Sequence, residues 1–180
     1  KDRVEVKFLK KIKEANNSSK TILAICLVKK KPMDFILQKA TELGVRKIIP
    51  IVSDRTEIKE LNHDRAKRII IEATEQSNQF MPPEITDVVK LKDFLETFDK
   101  TAKLLFADVN SKENLKAEDL KNFKYPCILI GPEGDFSPAE RESILQNRAV
   151  KPFTLSKNIL RSDTAVISAI SLVNFINNFH

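Results

Sequence analysis

The stretch Lys124–Ser143, KYPCILIGPEGDFSPAERES, is the one around which the rest of the chain is read. Cys127-Ile128-Leu129-Ile130 is a continuous apolar, β-branched run, the pattern of a strand buried on both faces of a parallel sheet. It stops at Gly131-Pro132-Glu133-Gly134. Ser137-Pro138-Ala139-Glu140 then supplies an N-cap, a proline at the first helical position and a capping-box glutamate, which predicts a helix starting there. The order is strand, glycine loop, helix. The 180 residues hold only 3 glycines, where ordinary usage would give roughly 13, and two of them sit in this loop. A chain this sparing keeps glycine where the backbone needs positive φ or where a ligand approaches closely, although a plain strand-to-helix turn gives the same spacing. Neither GxGxxG nor a lysine-bearing P-loop is present, so a phosphate cradle is not the natural reading.

A second stretch, Phe153 to Ala165 (FTLSKNILRSDTA), repeats the scheme: an apolar strand end, a polar turn and a helix start with Ser162 as N-cap and Asp163 at the positive end of the dipole. Working outward, Thr21–Val28 reads as a central strand. Pro32 opens a helix that Gly44 ends, with Ile36, Leu37, Ala40 and Leu43 on one face. Strands at Lys47–Val52, Ile85–Val89 and Lys103–Ala107 alternate with helices at Asp64–Ser77 and Leu91–Phe98. A last helix, Ser162 to Asn177, carries Ala165, Val166, Ala169, Ile170 and Val173 on one stripe. Alternation of this kind predicts an α/β parallel sheet covered on both faces. Lys1–Ser19 alternates weakly, with Val4, Val6 and Phe8 on one face, and reads as one strand and a polar tail.

Hydrophobic content of 42% with 31% charged residues is that of a folded domain. No run approaches the roughly 20 apolar residues of a membrane span, and the lysine-rich start lacks a signal-peptide core, so a cytoplasmic protein is expected. Cys26 and Cys127 lie in apolar runs without CxxC spacing, which predicts buried free thiols and no metal site. The net charge of +6 is uneven: residues 1–60 carry 15 Lys and Arg against 8 Asp and Glu, whereas residues 61–120 carry 9 against 12. That excess fits a polyanion or a merely solvated lysine-rich face.

GPEGDFSPAE and LSKNILRSDTA together resemble the signature of the bacterial 16S ribosomal RNA uridine-N3 methyltransferases, members of the SPOUT class of knotted enzymes. Ile36–Val45, Pro50, Arg55 and Glu72–Ser77 are similar to the same family's first two helices. The resemblance implies a parallel-sheet SPOUT methyltransferase domain with a C-terminal trefoil knot over residues 20–180. It also implies that residues 1–19 are the remnant and linker of an N-terminal PUA-like RNA-binding barrel. The implied cofactor is S-adenosyl-L-methionine and the implied partner 16S rRNA in the small ribosomal subunit, with a homodimer completing the site. By the same resemblance the donor sits against Gly131, Pro132, Glu133 and Gly134, against Leu155, Ser156, Asn158, Ile159 and Leu160, and near Thr164, with Phe106 and the loop after it as a third wall.

Methylation at uridine N3 requires the imide proton to leave and the developing anion to be stabilised. Arg161 is the candidate stabiliser, or else a structural arginine bonding loop carbonyls. Glu133 is a base or a cap of backbone amides. Arg55, Gln76 and Lys157 are the candidate RNA contacts. Asp163 stands where the family has glutamate, and a helix-start role is expected for it. Gln79, Met81 and Asn158 replace usual arginines, which leaves open a methyltransferase for another RNA such as tRNA, or a catalytically inactive ribosome-associated RNA-binding module.

Overall fold

The computed structural model describes residues 3–7, 9–10, 20–99, 101–121, 123 and 125–178. Strands β1 (Ile22–Cys26), β2 (Lys47–Val52), β3 (Glu84–Ile85), β4 (Val89–Lys90), β5 (Lys103–Ala107), β6 (Pro126–Ile130) and β7 (Val150–Phe153) form one sheet. Its order is β3-β2-β1-β6-β5-β7 with β4 also on β2, and every pairing is parallel. Between the strands run α1 (Lys30–Glu42), α2 (His63–Gln76), α3 (Leu91–Thr97), α4 (Pro138–Gln146) and α5 (Ser162–Asn178).

The two-residue period of the strands sorts their side chains onto two cores. Leu23 and Ile25 of β1 and Ile128 and Ile130 of β6 pack with α1, α2 and α5. Ala24, Cys26, Cys127 and Leu129 pack the other way with α3, α4 and Phe136. β6 is buried at all five positions, as its unbroken apolar run requires. Both cysteines are buried free thiols. Burial raises both thiols, Cys26 to about 12.

β2 and β5 have the bounds expected of them. The strand expected at Ile85–Val89 divides in two, because Ile48 faces Ile85 while Ile51 faces Val89, leaving three residues between the pairs on one strand against two on the other. Pro50 lies in that gap and has no N–H to offer the ladder. α1 begins two residues ahead of Pro32, which therefore occupies its third position, where an amide would have no intrahelical acceptor anyway. Gly44 has φ +78 and ends α1 as expected: its N–H donates to Thr41 O and that of Val45 to Ala40 O, the paired bonds of a Schellman turn. Ser162 departs from its expected role as N-cap: it is the first residue of α5, and its hydroxyl donates to Gly131 O at 3.5 Å. Asp163 takes the helix start, accepting the Thr164 amide at 2.7 Å.

The strand expected near the start of the chain is absent from residues 3–7 and 9–10, where Val4 and Val6 are 83% and 74% exposed and no partner strand lies alongside; Phe8 and residues 11–19 lie outside the described residues. The stripe on α5 is consumed within the chain, since Val166, Ala169, Ile170 and Val173 are fully buried against α1 and the sheet. No helix among the described residues is long and apolar enough to cross a membrane.

Candidate donor and substrate site

All strands point the same way, so the loops leaving β5, β6 and β7 emerge together at the carboxyl edge of the sheet, the usual ligand side of an open α/β sheet. They enclose a cavity of about 450 Å3. Ala107, Asp108 and Val109 form one wall; Gly131, Pro132, Glu133, Gly134 and Asp135 form the second; Leu155, Ser156 and Asn158–Arg161 form the third. Two residues expected at the cofactor do not line it. Phe106 lies beneath the floor, packed edge-on against Phe136 with ring centroids 5.6 Å apart, and the three residues after it make the wall instead. Thr164 is exposed on the first turn of α5 and bonded to Asp163.

The glycine loop is built by side chains around it. Pro132 O accepts the Asp135 N–H at 3.0 Å, closing a turn. The left-handed residue of this turn is Asp135 (φ 58), whose carboxylate accepts the Phe136 amide. Neither Gly131 nor Gly134 has the positive φ that glycine scarcity suggested. Gly131 is needed for another reason: a β-carbon there would lie 3.0 Å from the Phe136 ring. At Gly134 a β-carbon would meet Arg55 at an ordinary 3.7 Å. The Arg55 guanidinium donates to Gly134 O at 3.0 Å. Behind the loop the expected capping box forms between Ser137 and Glu140, and Glu140 also accepts the Asp54 amide while Ser137 donates to the Asp54 carboxylate. The loop after β2 is thus fastened to the glycine loop at three points.

The third wall is tied mainly to itself. Thr154 donates to Ser156 O, and the Asn158 amide donates to the Ser156 hydroxyl. The Thr154 amide reaches out to Glu113 O at 2.8 Å. Ile159 is 88% exposed. The Arg161 guanidinium and the Glu133 carboxylate make no hydrogen bond or ion pair among the described residues; only the Arg161 carbonyl is engaged, by the Ala165 amide. Among the described residues neither the carbonyl-bonding arginine nor the amide-capping glutamate is realised, and both residues line the cavity.

Asp108 was not singled out from the sequence. Its side chain is 1% exposed and takes the Arg141 guanidinium on both oxygens, the shortest contact being 2.6 Å. Its carboxylate also accepts the Asn110 amide, and its own amide donates to Phe153 O. The bond to Asp108 raises the Arg141 pKa, chiefly through hydrogen bonding. One ion pair therefore joins the first wall to α4. A lone aspartate after a strand and an arginine one turn into a helix give no pattern that would have linked them.

Of the candidate RNA contacts, Arg55 is at the glycine loop and Lys157 is exposed on the third wall, outside the cavity lining. Gln76 is exposed at the far end of α2, which by connectivity is the amino edge of the sheet. Gln79 also lies there: its side-chain amide donates to Thr41 O and Glu42 O at the end of α1, and Asn78 before it has φ 57. The replaced charge at position 79 thus faces a helix end, away from the cavity.

These strands and loops define an α/β domain with a carboxyl-edge cavity of the kind found in RNA-modifying methyltransferases, and the chain belongs to the RNA methyltransferase domain family, whose model matches residues 15–174. Over 181 residues it is 30% identical to the ribosomal RNA small subunit methyltransferase E of Rickettsia conorii, covering 99% of this chain and 73% of that protein. It is 38% identical over 151 residues to the enzyme of the same name from Aquifex aeolicus, covering 81% of this chain and 64% of the relative. Among solved structures, the Neisseria gonorrhoeae ribosomal RNA small subunit methyltransferase E bound to S-adenosyl methionine superposes with a TM-score of 0.81 at 27% identity, covering 88% of this chain and 67% of that one.

Proposed function

We propose that this chain is an S-adenosylmethionine-dependent methyltransferase acting on N3 of a specific uridine in 16S rRNA of the small subunit. The observation that carries the reading is the three-walled cavity, in a fold shared with a relative whose structure holds S-adenosyl methionine. The residues fit such a donor: the volume suits a nucleoside-sized ligand, backbone loops offer edges to an adenine, and Glu133 and Asp135 against Arg161 suit a ligand carrying positive charge, the Asp108 charge being met by Arg141.

When bound, the donor supplies an electrophilic methyl group on a sulfonium. The chain's own residues do the rest. The glycine loop, held by Arg55 and the capping box, fixes one wall so that the acceptor nitrogen is met in line. Glu133, whose carboxylate makes no other bond among the described residues, would take the imide proton from N3 as the bound donor gives up its methyl group to that nitrogen. Arg161 faces the same space and stabilises the charge spreading onto the uracil carbonyl oxygens.

The finer architecture belongs to the same proposal. Residues 154–162 leave β7, bond to Glu113 in the β5–β6 connection and return as α5 to α1, a path that supports a trefoil knot. A homodimer, a cytoplasmic location and an N-terminal PUA-like barrel ending within residues 1–19 complete it. The test is calorimetry with S-adenosylmethionine followed by methyl transfer to small subunits and mass-spectrometric mapping of the product. Methyl on uridine N3 is expected; donor binding without transfer to any RNA would sink the catalytic reading.

A further inference from the structure

A groove of about 1280 Å3, against about 450 Å3 for the donor cavity, runs between α3 and α4 over the middle of the sheet. One sheet face has three helices packed on it; this one has two short ones, and the gap between them is the groove. It starts at the carboxyl edge beside Asp54, Lys59 and Lys90 and ends at the amino edge beside Phe123 and Arg148. Strands of five residues make that a run of about 17 Å.

We propose that this groove is the track for single-stranded RNA flanking the target nucleotide, a proposal that rests on the chain being an RNA methyltransferase. Three features support it. The first is charge: four cations, Lys59, Lys90, Lys92 and Arg148, line the groove against three acids, of which Glu96 pairs with Lys92 while Asp54 and Glu140 are held at the carboxyl edge by the Ser137 junction. The Lys90 ammonium and the Arg148 guanidinium make no ion pair or hydrogen bond among the described residues, so both ends of the track offer a free cation to a phosphate. The second is the floor, where Leu91, Leu95, Ala139 and Ala149 are apolar and the half-buried Phe123 has Lys103 4.9 Å from its ring centroid. A cationic rim over an apolar, partly aromatic floor suits splayed bases of a single strand and not a paired duplex. The third is continuity. Asp54 and Glu140 line the groove, while Arg55, next in the chain, bonds Gly134 in the donor cavity wall. A strand leaving the groove at the carboxyl edge arrives at the donor.

The test is fluorescence anisotropy of a short labelled single-stranded oligoribonucleotide across a salt series, with the chain and its Lys90→Glu/Arg148→Glu variant. Affinity should fall about tenfold or more at low salt and the log–log salt slope should become shallower by about 1.4, about 0.7 for each lost contact, while donor affinity measured by calorimetry stays constant. Lys90→Arg/Arg148→Lys should restore both. Unchanged affinity and slope, or a duplex of equal length competing as well as the single strand, would overturn the proposal. Photo-cross-linking of a thiouridine-bearing strand to the unmodified chain is a check that needs no variant: cross-links should fall on peptides containing Phe123 or Arg148, and their confinement to other surfaces would overturn it too. Absence of donor binding and methyl transfer in the unmodified chain would instead count against the methyltransferase reading, and the groove would then stand or fall on the oligonucleotide data alone.

Discussion

The two chief walls of the donor cavity are built in opposite ways. The glycine loop after β6 is held from outside by Arg55, by the junction of Asp54 with Ser137 and Glu140, and by the ring of Phe136 under Gly131. The segment after β7 is bonded mainly within itself, through Thr154, Ser156 and Asn158, and exposes Ile159 almost fully. Few tertiary bonds and high exposure mark a segment of low local stability. On the proposed function, the contrast gives positioning to the glycine loop and leaves the segment after β7 an arginine with no bond to its guanidinium among the described residues.

Substitutions that separate fastening from chemistry should separate the walls. The largest effect is expected from Arg141→Leu, which leaves the Asp108 carboxylate buried without its partner. Breaking a buried pair costs 3–5 kcal/mol, and because the Arg141 side chain is 34% exposed the expected loss is nearer about 3 kcal/mol in denaturant unfolding, with donor affinity falling in parallel. A stability unchanged within error would mean that the pair does not hold the Ala107–Val109 wall to α4.

Arg161→Ala should do the reverse. The single-turnover methylation rate should drop by about 10², equivalent to about 2.7 kcal/mol, while melting temperature and donor affinity stay where they are. A drop in melting temperature together with donor binding would return Arg161 to a structural role and dissolve the contrast between the walls.

Within the glycine loop, Gly131→Ala and Gly134→Ala form a matched pair. The new methyl group at position 131 meets the Phe136 ring, itself backed by Phe106, and overpacking of that kind costs about 2 kcal/mol. At position 134 the methyl has an ordinary contact with Arg55 and no left-handed φ to violate, so a change within about 0.5 kcal/mol is expected. Equal losses at both positions would show that the loop, not the ring beneath it, sets the requirement for glycine.

The same contrast explains what was legible in the sequence. β6, the capping box at Ser137 and the end of α1 at Gly44 are local events, written in a period of two, a four-residue motif and a single φ, and they appear where they were read. The reason for Gly131 was not legible, because the clash is with a side chain five residues on whose burial depends on Phe106 from another strand. The Asp108–Arg141 pair and the Arg55–Gly134 bond join residues 33 and 79 apart in sequence, and only sheet order brings them together. Pro50 split a strand because of what faced it on β3 and β4. The groove between α3 and α4 is a property of two helices too short to cover the sheet, which no motif announces.

The smallest expected loss of binding belongs to Arg55, and it decides whether that residue fastens the glycine loop or meets RNA. The resemblance to known methyltransferases cast it as an RNA contact, whereas the structure gives its guanidinium a carbonyl of the glycine loop and lays its stem over Gly134. An exposed hydrogen bond of this kind contributes about 0.5–1 kcal/mol, so Arg55→Ala should weaken donor binding about two- to fivefold and leave the salt slope of oligonucleotide binding unmoved. An RNA contact would behave in the opposite way, with constant donor affinity and a slope shallower by about 0.7. Calorimetry with the donor and the anisotropy salt series, run on the same variant, read the two alternatives on separate axes. A shallower slope with unchanged donor affinity would remove Arg55 from the fastenings of the glycine loop, leaving the Asp54, Ser137 and Glu140 junction to hold it alone.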